Sequence, residues 1–178
     1  MRKGYLLLGL FILLIFADSI IAADVKYGRY INVRFAYGIS YPEGMLIPQG
    51  EADNGDGQKF ISKDGQVEML AYGYNNPDEE TLESVFKEAS RSHTKNNPER
   101  EITYKIKKNI WFVVSGTDKG KIFYKKVIYD VKDGQFINFE ILYPKSLRTS
   151  YDSITGYIAK SMKMLPGPFT EEEMKKMK

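Results

Sequence analysis

The sequence predicts an α+β domain, an antiparallel meander sheet with two helices packed on it. Three observations lead there. Apolar residues alternate with a period of two over short runs separated by tight-turn sequences, as in residues 66–74 and 135–143. Two other segments switch to helical spacing, one carrying Leu82, Val85, Phe86 and Ala89, the other Leu147, Tyr151, Ile154, Ile158 and Met162. In the run 66–74, Val67, Met69 and Ala71 take one face while Leu70, Tyr72 and Tyr74 take the other, so the strand must be covered on both sides.

Ahead of that domain, Arg2 and Lys3 precede an uncharged apolar run of 14 residues, 4–17, which stops at Asp18. This is the pattern of a secretory signal peptide. Crossing a hydrocarbon core as a helix takes about 20 apolar residues, so residues 1–23 are read as a cleavable signal, with an uncleaved anchor as the competing reading. Ala22 and Ala23 put the cut so that the mature chain begins near Ala23 or Asp24. The expected location is therefore the periplasm or the extracellular medium, with no stable membrane insertion after cleavage.

The chain has no Cys, which removes a lipid-modified amino terminus and disulfides and leaves stability to packing alone. Without residues 1–23 it carries 24 basic and 22 acidic residues, a net charge of +2. So small an excess gives no strong attraction to nucleic acid or anionic membranes. Thirteen Tyr and ten Phe favour a sheet-rich globule. One domain is expected over 24–165, followed by an exposed charged tail at 166–178.

The elements follow in order. Residues 27–41 read as one extended segment, with Phe35, Tyr37, Ile39 and Tyr41 on one side, stopped by Pro42. The Gly-, Asp- and Asn-rich stretch 43–57 reads as a long surface loop. Lys63-Asp64-Gly65 joins the runs 59–62 and 66–74 in a hairpin. A helix is expected over 78–94, with Asp78, Glu79 and Glu80 at its amino end, where the dipole favours negative charge. Then come strands with Ile102, Tyr104 and Ile106 on one face, an apolar run 110–115, a turn at 116–120, and the runs 121–131 and 135–143 joined by Lys132-Asp133-Gly134. A second helix ends before Pro166-Gly167-Pro168.

This order of elements, the opening segment closing on Tyr41-Pro42, and the last helix bearing Ile154 and Ile158 resemble the PsbP-like α/β sandwich domain. The blocks RFAYGISYP (34–42), NGDGQKFISKDG (54–65), WFVVSG (111–116) and KIFYKKV (121–127) are similar to those of a group of uncharacterised exported bacterial proteins. The resemblance covers nearly all of the expected mature region. It implies a fold and no shared catalytic apparatus.

Candidate chemistry is sparse. Asp53-Asn54-Gly55-Asp56-Gly57 places Asn54 and Asp56 at positions 3 and 5 of a calcium loop, but Ala52 and Lys63 stand at positions 1 and 12, where ligands are needed. A glycine-rich turn explains the same residues. His93 is the only histidine and, with no thiol, leaves most zinc sites and every cysteine mechanism without ligands or nucleophile. No Gly-x-Ser-x-Gly elbow occurs. Lys105, Lys107, Lys108, Lys119, Lys121, Lys125 and Lys126 crowd the middle strands beside Tyr104, Tyr124 and Tyr129, either as a patch for an acidic polymer or as lysines that guard strand edges.

The expected function is a non-enzymatic exported domain that binds a partner protein or a small-molecule ligand in the cell envelope. It uses no cofactor, no metal and no nucleic acid, and no catalytic residue is assigned. Two alternatives stand beside it: a hydrolase with an unrecognised site that uses Asp53, Asp56 or His93 with a serine brought near by folding, and a secreted factor acting on a host or competitor.

Overall fold

The computed structural model describes residues 25–167, 169 and 172. Residues 1–23, read above as a signal peptide, and most of the expected tail 166–178 lie outside the described residues. Among the described residues, ten strands and two α-helices form two antiparallel sheets and their covering layers.

The opening segment is a hairpin rather than one strand. β1 (Tyr27–Asn32) pairs with β2 (Tyr37–Pro42) across the turn 33–36. No Gly or Pro marks that turn. It is closed by the Asn32 carboxamide, whose Oδ1 accepts from the Phe35 amide at 2.8 Å, while Ala36 takes a left-handed φ of 45°. The expected loop 43–57 contains a strand of its own, β3 (Ile47–Glu51), exposed along its whole length, which explains why apolar alternation does not betray it.

β4 (Gly57–Ile61) and β5 (Glu68–Asn75) form the expected hairpin. The four meander strands are β6 (Glu101–Lys107), β7 (Trp111–Asp118), β8 (Lys121–Asp130) and β9 (Gln135–Pro144). The seven strands from β3 to β9 run in the order β3-β4-β5-β9-β8-β7-β6, so β5 is an interior strand, as its two apolar faces require. Gly116 to Asp118 continue β7, so the turn is only Lys119-Gly120.

The first helix, α1 (Leu82–Ala89), is shorter than expected. Its N-cap is Thr81, whose hydroxyl accepts from the Ser84 amide at 3.0 Å, while Ser84 Oγ accepts from the Thr81 amide at 3.0 Å. Asp78, Glu79 and Glu80 lie ahead of it, and Glu79 has a φ of 52°, incompatible with a helix. The apolar stripe ends at Ala89, and the following polar residues gain nothing by continuing; the His93 amide instead donates to the Arg100 carbonyl at 2.8 Å. The second helix, α2 (Arg148–Ser161), follows β9 through one turn of 3₁₀-helix and leads to a two-residue strand, β10 (Lys163–Met164), beside β2.

Two cores result. On one face of the seven-stranded sheet, Met69, Ala71, Ile137, Phe139 and Ile141 pack against α2 and the β1-β2-β10 sheet through Tyr37, Ile39, Tyr151, Ile154 and Ile158. Phe35 reaches from the β1–β2 turn over Gly73, where a Cβ would stand 2.3 Å from its ring. On the other face α1 sets Leu82, Val85 and Phe86 against Phe112, Val114, Phe123, Val127 and Phe136. A sheet with one helix per face is what the two-sided apolar pattern predicts.

Candidate functional site

Among the described residues the α2 face of the sheet is not wholly covered, and one uncovered part is a groove of about 440 Å³ between α2 and strands β6 to β8. Its construction begins with a fault in pairing. Ile102 faces Gly116, but Tyr104, not Thr103, faces Ser115. The extra residue is a β-bulge, and it carries Tyr104 from the α1 face to the α2 face. Ile102 therefore packs under α1 while Tyr104 and Ile106 share the other side, which corrects the expected single row of Ile102, Tyr104 and Ile106. Gly116 makes the bulge possible, since a Cβ there would sit 1.8 Å from the Glu101 carbonyl oxygen.

Tyr104, Ser115 and Tyr124 then form a row across three strands on the groove side. Tyr104 is 53% exposed. Burial, with a smaller contribution from Tyr104, pushes the Tyr124 phenol up to about 12, so it remains a neutral hydrogen-bonding group at physiological pH.

The opposite wall comes from β9 and α2. The Tyr143 hydroxyl donates to Asp152 Oδ1 at 2.7 Å, and Arg148 Nε donates to Asp152 Oδ2 at 3.1 Å, one helical turn away. Burial, and then this bond to Asp152, push the Tyr143 phenol well above its ordinary range, a rise that the nearby Thr155 hydroxyl only tempers. Thr155 lies on the same wall, 3% exposed, and its Oγ1 makes no hydrogen bond of proper geometry among the described residues. The Tyr143 hydroxyl beside it gives its proton to Asp152 instead. Gly156 leaves open space at its position, with no atom of the described residues within 4 Å of where a Cβ would stand. Gly inside a helix costs roughly 0.5–1 kcal/mol relative to Ala.

A larger hollow of about 590 Å³ lies at the amino end of α1, lined by the exposed acids Glu79, Glu80 and Glu83. It holds none of the unpartnered buried polar groups among the described residues.

The lysines do not form one patch. Lys105, Lys107 and Lys125 point to the α1 face and Lys126 to the α2 face. Lys107 Nζ pairs with Glu83 at 3.0 Å, Lys125 Nζ with Glu140 at 2.8 Å, and Lys126 Nζ donates to the Ala159 carbonyl at 2.6 Å. Tyr129 likewise lies on the face opposite Tyr104 and Tyr124. Glu140 anchors a compact network on the α1 face. Burial opposes its charge, but Lys125, the Tyr72 hydroxyl at 2.8 Å and Arg100 outweigh that and hold the carboxyl below its ordinary range.

The acidic loop is closed on itself. Asp56 Oδ1 accepts from Arg34 at 2.7 Å, the Asn54 carbonyl also accepts from Arg34, and the Gly55 carbonyl accepts from Asn32 Nδ2 at 2.9 Å. Asp53 stands exposed in the same turn. His93 sits beyond α1 with a φ of 48°, its Nδ1 2.9 Å from the Pro98 carbonyl. The Asp56 loop enters the second strand in the sheet and His93 precedes the seventh. Five strand spacings of about 4.8 Å, roughly 24 Å in all, keep them apart, so the fold does not bring His93 together with Asp53 and Asp56.

Of the groove residues, Tyr104 and Tyr124 were visible in the sequence, while Arg148, Asp152 and Thr155 were not singled out. Two signals were available. Arg148 and Asp152 have the i, i+4 spacing of an ion pair, and Thr155 interrupts the stripe Tyr151, Ile158, Met162 with a hydroxyl.

The fold defined by these layers is the PsbP-like α/β sandwich. The chain is similar to the solution structure of cyanobacterial PsbP (CyanoP) from Synechocystis sp. PCC 6803, with a TM-score of 0.59 at 15% identity over 79% of this chain and 93% of that one. It is also similar to the Saccharomyces cerevisiae Ran-binding protein Mog1p, with a TM-score of 0.53 at 10% identity over 79% of this chain and 96% of that one. A point mutant of Mog1 matches at 9% identity with the same TM-score and the same coverage. No family model and no curated protein matches the sequence.

Proposed function

We propose that this chain is an exported, non-enzymatic binding domain, and that its ligand site is the groove between α2 and strands β6 to β8. The observation that carries the site is Thr155, a buried hydroxyl that makes no hydrogen bond of proper geometry among the described residues, on the wall of a groove lined mainly by aromatic and polar side chains. A buried polar group left unpaired costs about 1–3 kcal/mol, which a ligand hydrogen bond would recover. The fold shared with PsbP and with the Ran-binding Mog1p supports a binding role. Among the described residues, no helix is long and apolar enough to cross a membrane. Export rests on the pattern of residues 1–23.

A thermal-shift screen of small molecules tests the site. A ligand in excess over its Kd stabilises by roughly 3 kcal/mol at a hundredfold excess. At that concentration Tyr104→Ala should lose about half of the shift and Thr155→Val about a third, and ligand shifts unchanged in both variants would refute the assignment.

A further inference from the structure

Resting on the reading of this groove as a ligand site, we propose that its ligand is an uncharged glycan, with one sugar ring laid on Tyr104 and its hydroxyls turned toward Arg148, Asp152 and Thr155. A sugar ring has an apolar C–H face and a rim of hydroxyls that both donate and accept. The groove offers the matching surfaces: an aromatic ring 53% exposed on one wall, and polar groups of both kinds on the other.

Charge selects among ligands that would stack on Tyr104. Arg148 and Asp152 cancel, and the guanidinium is already turned to the carboxylate at 3.1 Å. A phosphate or uronate would meet Asp152 with no second cation among the groove's lining residues to answer it. Lys107 and Lys125 are paired with Glu83 and Glu140 on the far face, and Lys126 is turned to the Ala159 carbonyl. Nucleic acid and acidic polymers are thus disfavoured by the same wall that suits a neutral polyol.

Shape agrees. Thr155 supplies a hydroxyl, able to donate and accept, to which no described residue gives a hydrogen bond of proper geometry. Gly156 beside it leaves the helix surface open where any side chain would narrow the groove. The volume of about 440 Å³ lies within the roughly 300–1,000 Å³ of small-ligand sites and suits a short glycan segment.

Isothermal titration of the purified chain with neutral oligosaccharides (hexamers of maltose, cellulose and N-acetylglucosamine type, then a neutral glycan array) tests the proposal, with polygalacturonate, heparin and single-stranded DNA as charged arms. A neutral glycan should bind. Tyr104→Ala should weaken it about tenfold, as expected for loss of a stacking ring, and Thr155→Val about fivefold. Tyr104→Ala should melt within a degree or two of the parent, since Tyr104 is exposed, and Thr155→Val should melt a few degrees higher, since the valine removes a buried hydroxyl that lacks a hydrogen bond of proper geometry. Lys125→Ala, on the far face, should leave the affinity unchanged. Binding by charged polymers alone, or by no neutral glycan, overturns the glycan assignment; if a ligand from the thermal screen still loses its shift in Tyr104→Ala, the groove itself stands. Glycan affinity indifferent to both Tyr104→Ala and Thr155→Val overturns the two readings together.

Discussion

Single residues in this protein differ most in what they leave satisfied or unsatisfied. Glu140 is the clearest satisfied case. It receives Lys125 Nζ and the Tyr72 hydroxyl, each at 2.8 Å, and its carboxyl is held below the ordinary value of 4.5. A depressed carboxyl contributes stability that is fully present above the unfolded value and is lost as pH falls through the folded one. Glu140→Gln should therefore cost about 1 kcal/mol at neutral pH, and the difference from the parent should shrink as pH falls below 4.5. Urea denaturation at neutral and acid pH measures this, and a difference independent of pH would contradict it. Thr155 is the opposite case, and its hydroxyl shows only as a break in an apolar stripe. The sequence names Tyr104 and Tyr124 because aromatic residues stand out along a strand, but the pairing of Arg148 with Asp152 across from them needs the sheet and helix to be assembled.

At the scale of elements, turn chemistry decides what can be read. The hairpins at Lys63-Asp64-Gly65 and Lys132-Asp133-Gly134 announce themselves, with Gly65 and Gly134 at φ of 70° and 61°. The β1–β2 hairpin does not, because its turn relies on the Asn32 side chain and a left-handed Ala36, which no local signal distinguishes from continued extension. The β6–β7 bulge is also hidden, since one extra residue between Ile102 and Tyr104 leaves alternation looking intact while it reverses the face. Gly116→Ala should destabilise by about 3 kcal/mol, because the new Cβ would meet the Glu101 backbone and not a movable side chain. The same variant should lose groove ligands as Tyr104 leaves register with Ser115; thermal melts and binding with an unimpaired affinity would argue against the bulge as the positioning device. Helix α1 has eight residues, of which only Leu82 is buried. Its amides at 86–89 should exchange at least about a hundredfold faster than those of β9, since a short helix with so little buried surface opens locally. Equal protection in hydrogen exchange would mean that α1 belongs to the cooperative core.

For the molecule as a whole, the two helical stripes and the two-faced strands made the architecture legible. What composition could not show is where the covering layer stops. One face is covered by α2 and the small β1-β2-β10 sheet, and the groove is a part of the sheet they do not reach. Export concerns the whole chain as well. The mature protein recovered from periplasm or medium should have an intact mass that places its first residue at Ala23 or Asp24; Met1 retained on a membrane-bound species would overturn the signal-peptide reading.

The groove is proposed as the place where this domain meets its ligand. Amide chemical-shift mapping of the uniformly labelled chain, with any ligand that raises its melting temperature, tests this directly. The largest shifts should cluster at Tyr104, Ser115, Tyr124, Thr155 and Gly156. Shifts centred instead on Leu70, Tyr72 and Lys125 of the opposite face, with the groove amides unmoved, would contradict it.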